Sequence, residues 1–340
     1  MRPRAWVVPI AAVSTVLTTA AKPSGRDSPA LLYTAGRVEA LELRAISPDG
    51  TGARTIAKLG NGYIYDVTLS PDGQSAASLG DAGLSIIDLS DGSKEVVAPV
   101  SDYTWAPDSR RIAYRSEGPS PQIFVVRVDG SGRTRLTHTR PPKRTWATYI
   151  GLEWAPDAKR IAFMKWQAYD SRHPPVGGRI GVVTMSGKQT LLTRVRPFVP
   201  ASLAWSPNSK ALAAGGIRDA GVIIVPVGRG EPQYLRATAC CVGVEPSWSP
   251  DGKRLAFLSG DTSLSYAGGV IEIGSKSVTV FKQFESAHDP VWAQDSRHFA
   301  FVGVLRGRLG RAVYISSSNG RDVNRVEGTS DVGDLLAWTD

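Results

Sequence analysis

Cysteine, methionine and histidine are scarce in this chain: its 340 residues include two, three and four of them. Two adjacent cysteines cannot build a disulfide framework, and no C-x-x-C, H-x-H or H-E-x-x-H spacing marks a redox or metal centre. No apolar run reaches the roughly 18 residues that a membrane-spanning helix needs. No segment sustains the 3.6-residue period of an amphipathic helix. A glycine-rich phosphate loop with its lysine, a Ser–His–Asp order and a G-x-S-x-G elbow are missing too. These absences leave no catalytic residue to nominate, and an enzyme is not the leading expectation.

What the chain has instead is 35 glycines and 23 prolines, the makeup of many short strands joined by tight turns. Its length allows one large all-β domain or two ordinary ones. One ten-residue pattern recurs: "WAPDSRRIAY" from Trp105, "WAPDAKRIAF" from Trp154, "WSPNSKALAA" from Trp205, "WSPDGKRLAF" from Trp248 and "WAQDSRHFAF" from Trp292, with a weaker copy at Leu69. The copies stand roughly 36 to 51 residues apart, the period of a propeller blade. In each, the anchor ends an inner strand and a turn follows. There Pro presets φ, Asp bonds back to nearby amides and Gly takes a positive φ where it occurs. An indole at a fixed inner-strand position fills the gap between twisted sheets, which assigns Trp105, Trp154, Trp205, Trp248, Trp292 and Trp338 to the core.

The ends set the blade number. "LLYTAG" from Leu31 and the two strands after it lack an anchor, whereas "DLLAWTD" at the C-terminus is an anchor with nothing after it. Pairing the two removes the open edges and predicts an all-β, seven-bladed propeller of four-stranded antiparallel blades closed by the N- and C-terminal strands. Six blades with a stray strand is the alternative. The pattern W-[SA]-P-[DN]-x-[KR]-x-[IL]-A-[FY] resembles the repeat of the TolB-like β-propeller superfamily over residues 31–340. The resemblance is specific for fold and weak for function. TolB itself carries an α/β domain before its propeller, for which this sequence has little room, so the chain is expected not to be TolB. Related propellers cap serine peptidases, and the hydrolase domain that reading requires is not found.

Arg2 and Arg4 precede an apolar stretch from Ala5 to Leu17, and small residues follow to Ala21. This is the pattern of a signal peptide over residues 1–21, with 22–30 as a short linker. The expected location is therefore outside the cytoplasm, in the periplasm, the cell envelope or the medium. Without that peptide the formal charge of +9 falls to about +7, which still favours anionic partners. Nucleic acid is not expected outside the cell. The leading function is a monomeric, non-enzymatic module that presents a loop face to a protein or an envelope polymer. The alternative is a metal-dependent lyase or hydrolase acting on a glycan at the channel.

Candidate residues follow from the blade pattern, because propeller ligands meet the loops at the mouth. Asp66, Asp102, Glu245 and Asp289 each stand three positions before an anchor, at the start of an inner strand beside the channel. They could bind calcium or a basic group on a partner, or each could cap its own turn; no other cofactor is expected. Two long loops around the blade of Trp154 carry Arg140, Lys143, Arg144, Trp146 and Tyr149, and Trp166, Tyr169, Arg172 and Arg179. Exposed aromatics beside arginine are the makeup of a partner-binding hot spot. His138, His173 and His288 also fall in mouth loops, and converging imidazoles would bind a transition metal. Dispersed surface histidines are the simpler reading. Cys240 and Cys241 could form a vicinal disulfide in an oxidising compartment.

Overall fold

The computed structural model describes residues 29–339, apart from 38–39, 61–62, 82, 99, 119, 139–145, 169–177, 196–199, 217–220, 236–243 and 260–266. The described residues form seven four-stranded antiparallel sheets and contain no helix. Blade 1 is composite: the C-terminal strand Val332–Thr339 is its inner strand and pairs with Ala30–Arg37, followed outward by Ala40–Ile46 and Arg54–Gly60. Blades 2 to 7 follow in chain order. Their inner strands are Ile64–Leu69, Val100–Trp105, Trp146–Trp154, Pro200–Trp205, Val244–Trp248 and Phe284–Trp292. The seven blades and the exchange of strands between the termini agree with the repeat.

Strand alternation builds the ring. In the first strand Leu31, Tyr33 and Ala35 pack against blade 7, whereas Ala30 and Leu32 pack against blade 2. Side chains at i and i+2 share a face, so each strand serves two neighbours. One apolar cluster fills each of the seven interfaces. The anchor tryptophans sit in these clusters, buried except for Trp248, which is partly covered. Each of four indoles donates to the inner strand of the preceding blade: Trp105 to Thr68 Oγ1, Trp205 to the Glu153 carbonyl, Trp248 to that of Ala204 and Trp292 to that of Ser247. The arginine that follows the basic position of the repeat covers the next anchor, with the Arg111 guanidinium 5.1 Å from the Trp154 ring and that of Arg160 5.3 Å from the Trp205 ring.

The turns after the anchors behave as their composition predicts. Asp72, Asp108, Asp157, Asn208, Asp251 and Asp295 each accept the amide two residues on through Oδ1. The residue following each takes a positive φ, with glycine at Gly73 (67°) and Gly252 (69°) but serine at Ser109 (59°), Ser209 (58°) and Ser296 (56°). These serines have a use. The hydroxyls of Ser109, Ser209 and Ser296 accept the amides of Asp72, Asp157 and Asp251, one blade earlier. The turns lie at the opposite end of the inner strands from the mouth.

Candidate functional site

The mouth is lined by the first residues of the inner strands. Three positions before the anchors of blades 2, 3, 6 and 7 stand Asp66, Asp102, Glu245 and Asp289; blades 4 and 5 have Gly151 and Ser202 there. Blade 1 adds Asp334, four positions before Trp338. Acids thus run without interruption through blades 6, 7, 1, 2 and 3, and blades 4 and 5 form a neutral gap.

Three of these acids reach into the next blade. Glu245 Oε2 accepts the Asp289 amide at 3.0 Å, and Asp289 Oδ2 accepts that of Leu335 at 3.1 Å. Asp102 Oδ2 accepts the Leu152 amide at 3.4 Å. Each of the three therefore clamps the inner strand of the next blade. Asp66 departs from this pattern: its Oδ2 is sealed from solvent and, among the described residues, has no hydrogen-bond partner.

Burial shows in the titration of Asp66, Asp102 and Glu245. Burial pushes the Asp66 carboxyl up to about 7; the Tyr103 hydroxyl opposes this, and the charges of Asp334, Asp102 and Asp289 add to it. Asp102 rises to about 6 through burial, restrained by the Arg115 charge and by the amides of Leu152, Gly151 and Tyr103. Glu245 is also raised, by burial and then by the Asp289 charge. Burial pulls the His288 imidazole down, but the hydrogen bond and charge of Asp289, with Glu245 behind it, outweigh this and raise it.

His288 and Asp289 form the tightest pair, Nδ1 to Oδ2 at 2.8 Å, with their side chains only 16% and 21% exposed. Consecutive residues of a regular strand point to opposite faces. Here the register with the neighbouring strand slips between His288 and Val291, and Asp289 adopts φ 54°, a bulge that brings both groups together. One donor atom each from His288, Asp289 and Asp334 lies within 4.8 Å of the other two, the one such group of His, Cys, Asp or Glu among the described residues. His288 and Asp334 both stand four positions before their anchors. Asp334 escapes a reading confined to the third position before the anchor; extending the same count by one residue would have found it.

Other candidates fall elsewhere. Tyr149, expected in an exposed loop, is buried in the cluster between blades 3 and 4, edge-on to Phe163 at 5.1 Å. The loop reading fails here because the inner strand of blade 4 begins at Trp146 and pairs with Arg160–Ala168, so Trp146 and Trp166 lie on a strand hairpin. The side chains of those two tryptophans, and all of Arg140, Lys143, Arg144, Tyr169, Arg172, His173, Cys240 and Cys241, lie outside the described residues. His138 is exposed, and His288 meets carboxylates. His288, expected in a mouth loop, belongs to the inner strand Phe284–Trp292. Tyr63 and Tyr65, which the sequence did not single out, are 66% and 65% exposed beside Asp66, and the Tyr65 hydroxyl donates to Asp81.

No protein-family model matches the chain, and no curated protein matches it in sequence. Among solved structures it is similar to TolB from Acinetobacter baumannii, at 17% identity and a TM-score of 0.51 over 92% of this chain and 66% of that one. What the two share is the β-propeller fold. An oligogalacturonate lyase from Vibrio parahaemolyticus matches at 14% identity and a TM-score of 0.51, over 67% of this chain and 71% of that one. A puromycin-hydrolyzing peptidase of Mycobacterium tuberculosis matches at 13% identity and 0.63, over 95% of this chain and 57% of that one. At such identities the likeness is one of fold alone, and 1232 solved chains share it, too many for the fold to carry a function.

Proposed function

We propose that the chain is an exported, non-enzymatic binding module whose channel mouth takes a basic group of a protein or an envelope polymer. The observation that carries this reading is the run of acids on five adjacent blades, bordered at blade 2 by the exposed rings of Tyr63 and Tyr65. Carboxylates and the faces of aromatic rings both attract cations, and a closed propeller presents them with little loss of freedom on binding. The test is crosslinking capture from a cell-envelope extract with the wild type and a Tyr63→Ala/Tyr65→Ala variant. Loss of a captured species in the variant, with unchanged melting, is expected. Equal capture by both proteins would remove the tyrosine rim from the contact.

The competing reading, a metal-dependent lyase or hydrolase acting on a glycan, draws on the meeting of His288 with Asp289 and Asp334. Oligogalacturonate incubated with the metal-supplemented protein separates the two: appearance of unsaturated product favours the enzyme, and an unchanged substrate favours the module.

A further inference from the structure

We propose that His288, Asp289 and Asp334 hold one divalent transition-metal ion across the seam where the C-terminal strand closes the ring. The three donors come from two blades, the first two from Phe284–Trp292 and the third from Val332–Thr339. Their mutual reach of 4.8 Å needs only small side-chain adjustment. Two ligands bound at about 2.1 Å from a metal stand roughly 3 Å apart, and His288 Nδ1 and Asp289 Oδ2 are already 2.8 Å apart.

A second observation points the same way from the next blade. Asp66 Oδ2 is a sealed carboxylate oxygen without a hydrogen-bond partner among the described residues, and its charge is felt together with those of Asp334 and Asp289. A buried carboxyl is protonated, paired or bound to a metal. Asp102, Glu245 and Asp289 each spend an oxygen on the next blade, whereas this oxygen of Asp66 is unspent among the described residues.

The donor chemistry selects the ion. An imidazole with two carboxylates suits zinc or manganese, whereas an oxygen-only set would suit calcium. A bound ion would join blade 7 to the closing strand, and any ion that binds the folded ring alone stabilises it by mass action.

The experiment titrates untagged, metal-free full chain with zinc chloride, manganese chloride and calcium chloride by calorimetry, and melts it with and without each ion. Zinc or manganese is expected to bind at one ion per chain and to raise the Tm. His288→Gln and Asp334→Asn should each weaken that binding on the order of tenfold or more. Neither residue supplies the clamp to Leu335, so metal-free melting should stay close to wild type; if one variant does not fold, the other carries the test. His138→Gln, at an exposed histidine, should bind as the wild type does. No saturable uptake of zinc or manganese, uptake undiminished in the double variant, or calcium binding of equal strength that ignores His288→Gln would each overturn the assignment.

Discussion

The acidic arc and the neutral gap of the mouth are built on the same blade. Among the described residues, blades 5 and 6 are joined by an apolar cluster and the indole bond from Trp248 to the Ala204 carbonyl, and blade 5 has Ser202 where the clamping acids stand. Blades 6 and 7 have the equivalent cluster and the bond from Trp292 to Ser247, and add the clamp from Glu245 to Asp289. Packing of neighbouring blades therefore does not require acids at the channel. At the arc the fold bears the cost of gathering several buried carboxylates at one end.

The largest effect expected from disturbing this contrast lies in what the two regions share. Trp205→Ala, at a fully buried anchor bordering the gap, should cost about 3–5 kcal/mol as a core aromatic deletion, read by urea denaturation. A loss below about 1 kcal/mol would mean that the indole is not what holds blades 4 and 5 together.

Next in size is the charge of the arc itself. Burial pushes the Asp102 carboxyl up to about 6 in the folded chain, above the ordinary range of an aspartate, so the folded state holds its proton more tightly. Its contribution to stability is complete below about pH 4 and is lost as the pH rises through about 6, a change of at most about 3 kcal/mol. Asp102→Asn keeps an acceptor for the Leu152 amide. Its stability should pull ahead of the wild type between pH 4 and 7, and parallel pH curves would show that burial does not govern this carboxyl.

A smaller effect comes from extending the arc. Gly151 occupies in blade 4 the register and left-handed conformation of Asp289 in blade 7, with φ of 61° and 54°. Gly151→Asp should fold at a cost of about 1–3 kcal/mol, because a β-carbon there displaces the flexible end of Met164. It should also raise the Asp102 titration further, measurable by carboxyl NMR. The smallest effect is at the rim, where Tyr63→Ala/Tyr65→Ala should leave stability within about 0.5 kcal/mol for each exposed ring.

The architecture was legible because the repeat states it many times: each tryptophan fixes a strand end, each Pro–Asp turn a hairpin, and the unmatched fragments at the two ends a closing pair. The acids three positions before the anchors were legible for the same reason, as a register shared among blades. Asp334 and the pairing of His288 were not, because both depend on backbone irregularity. A bulge is visible only against the strand it faces, and at Asp289 it is what places His288 beside the acids. Tyr149 was misassigned for a related cause, since only pairing with Arg160–Ala168 reveals how far the inner strand of blade 4 reaches.

The serines on the opposite face have a consequence for how the ring breathes. They join blade 2 to 3, 4 to 5 and 6 to 7, while Ala158 and Gly252 stand at the equivalent positions between 3 and 4 and between 5 and 6. That end of the molecule is thus divided into three doublets beside one composite blade. Hydrogen exchange should reflect the division, because an amide opens at the rate of the cooperative unit that holds it. The amides of Asp72, Asp157 and Asp251 should exchange slowly and those of Asp108 and Asn208 quickly. The rim would then alternate between slow and fast around a ring whose turns, by sequence, are near copies of one another.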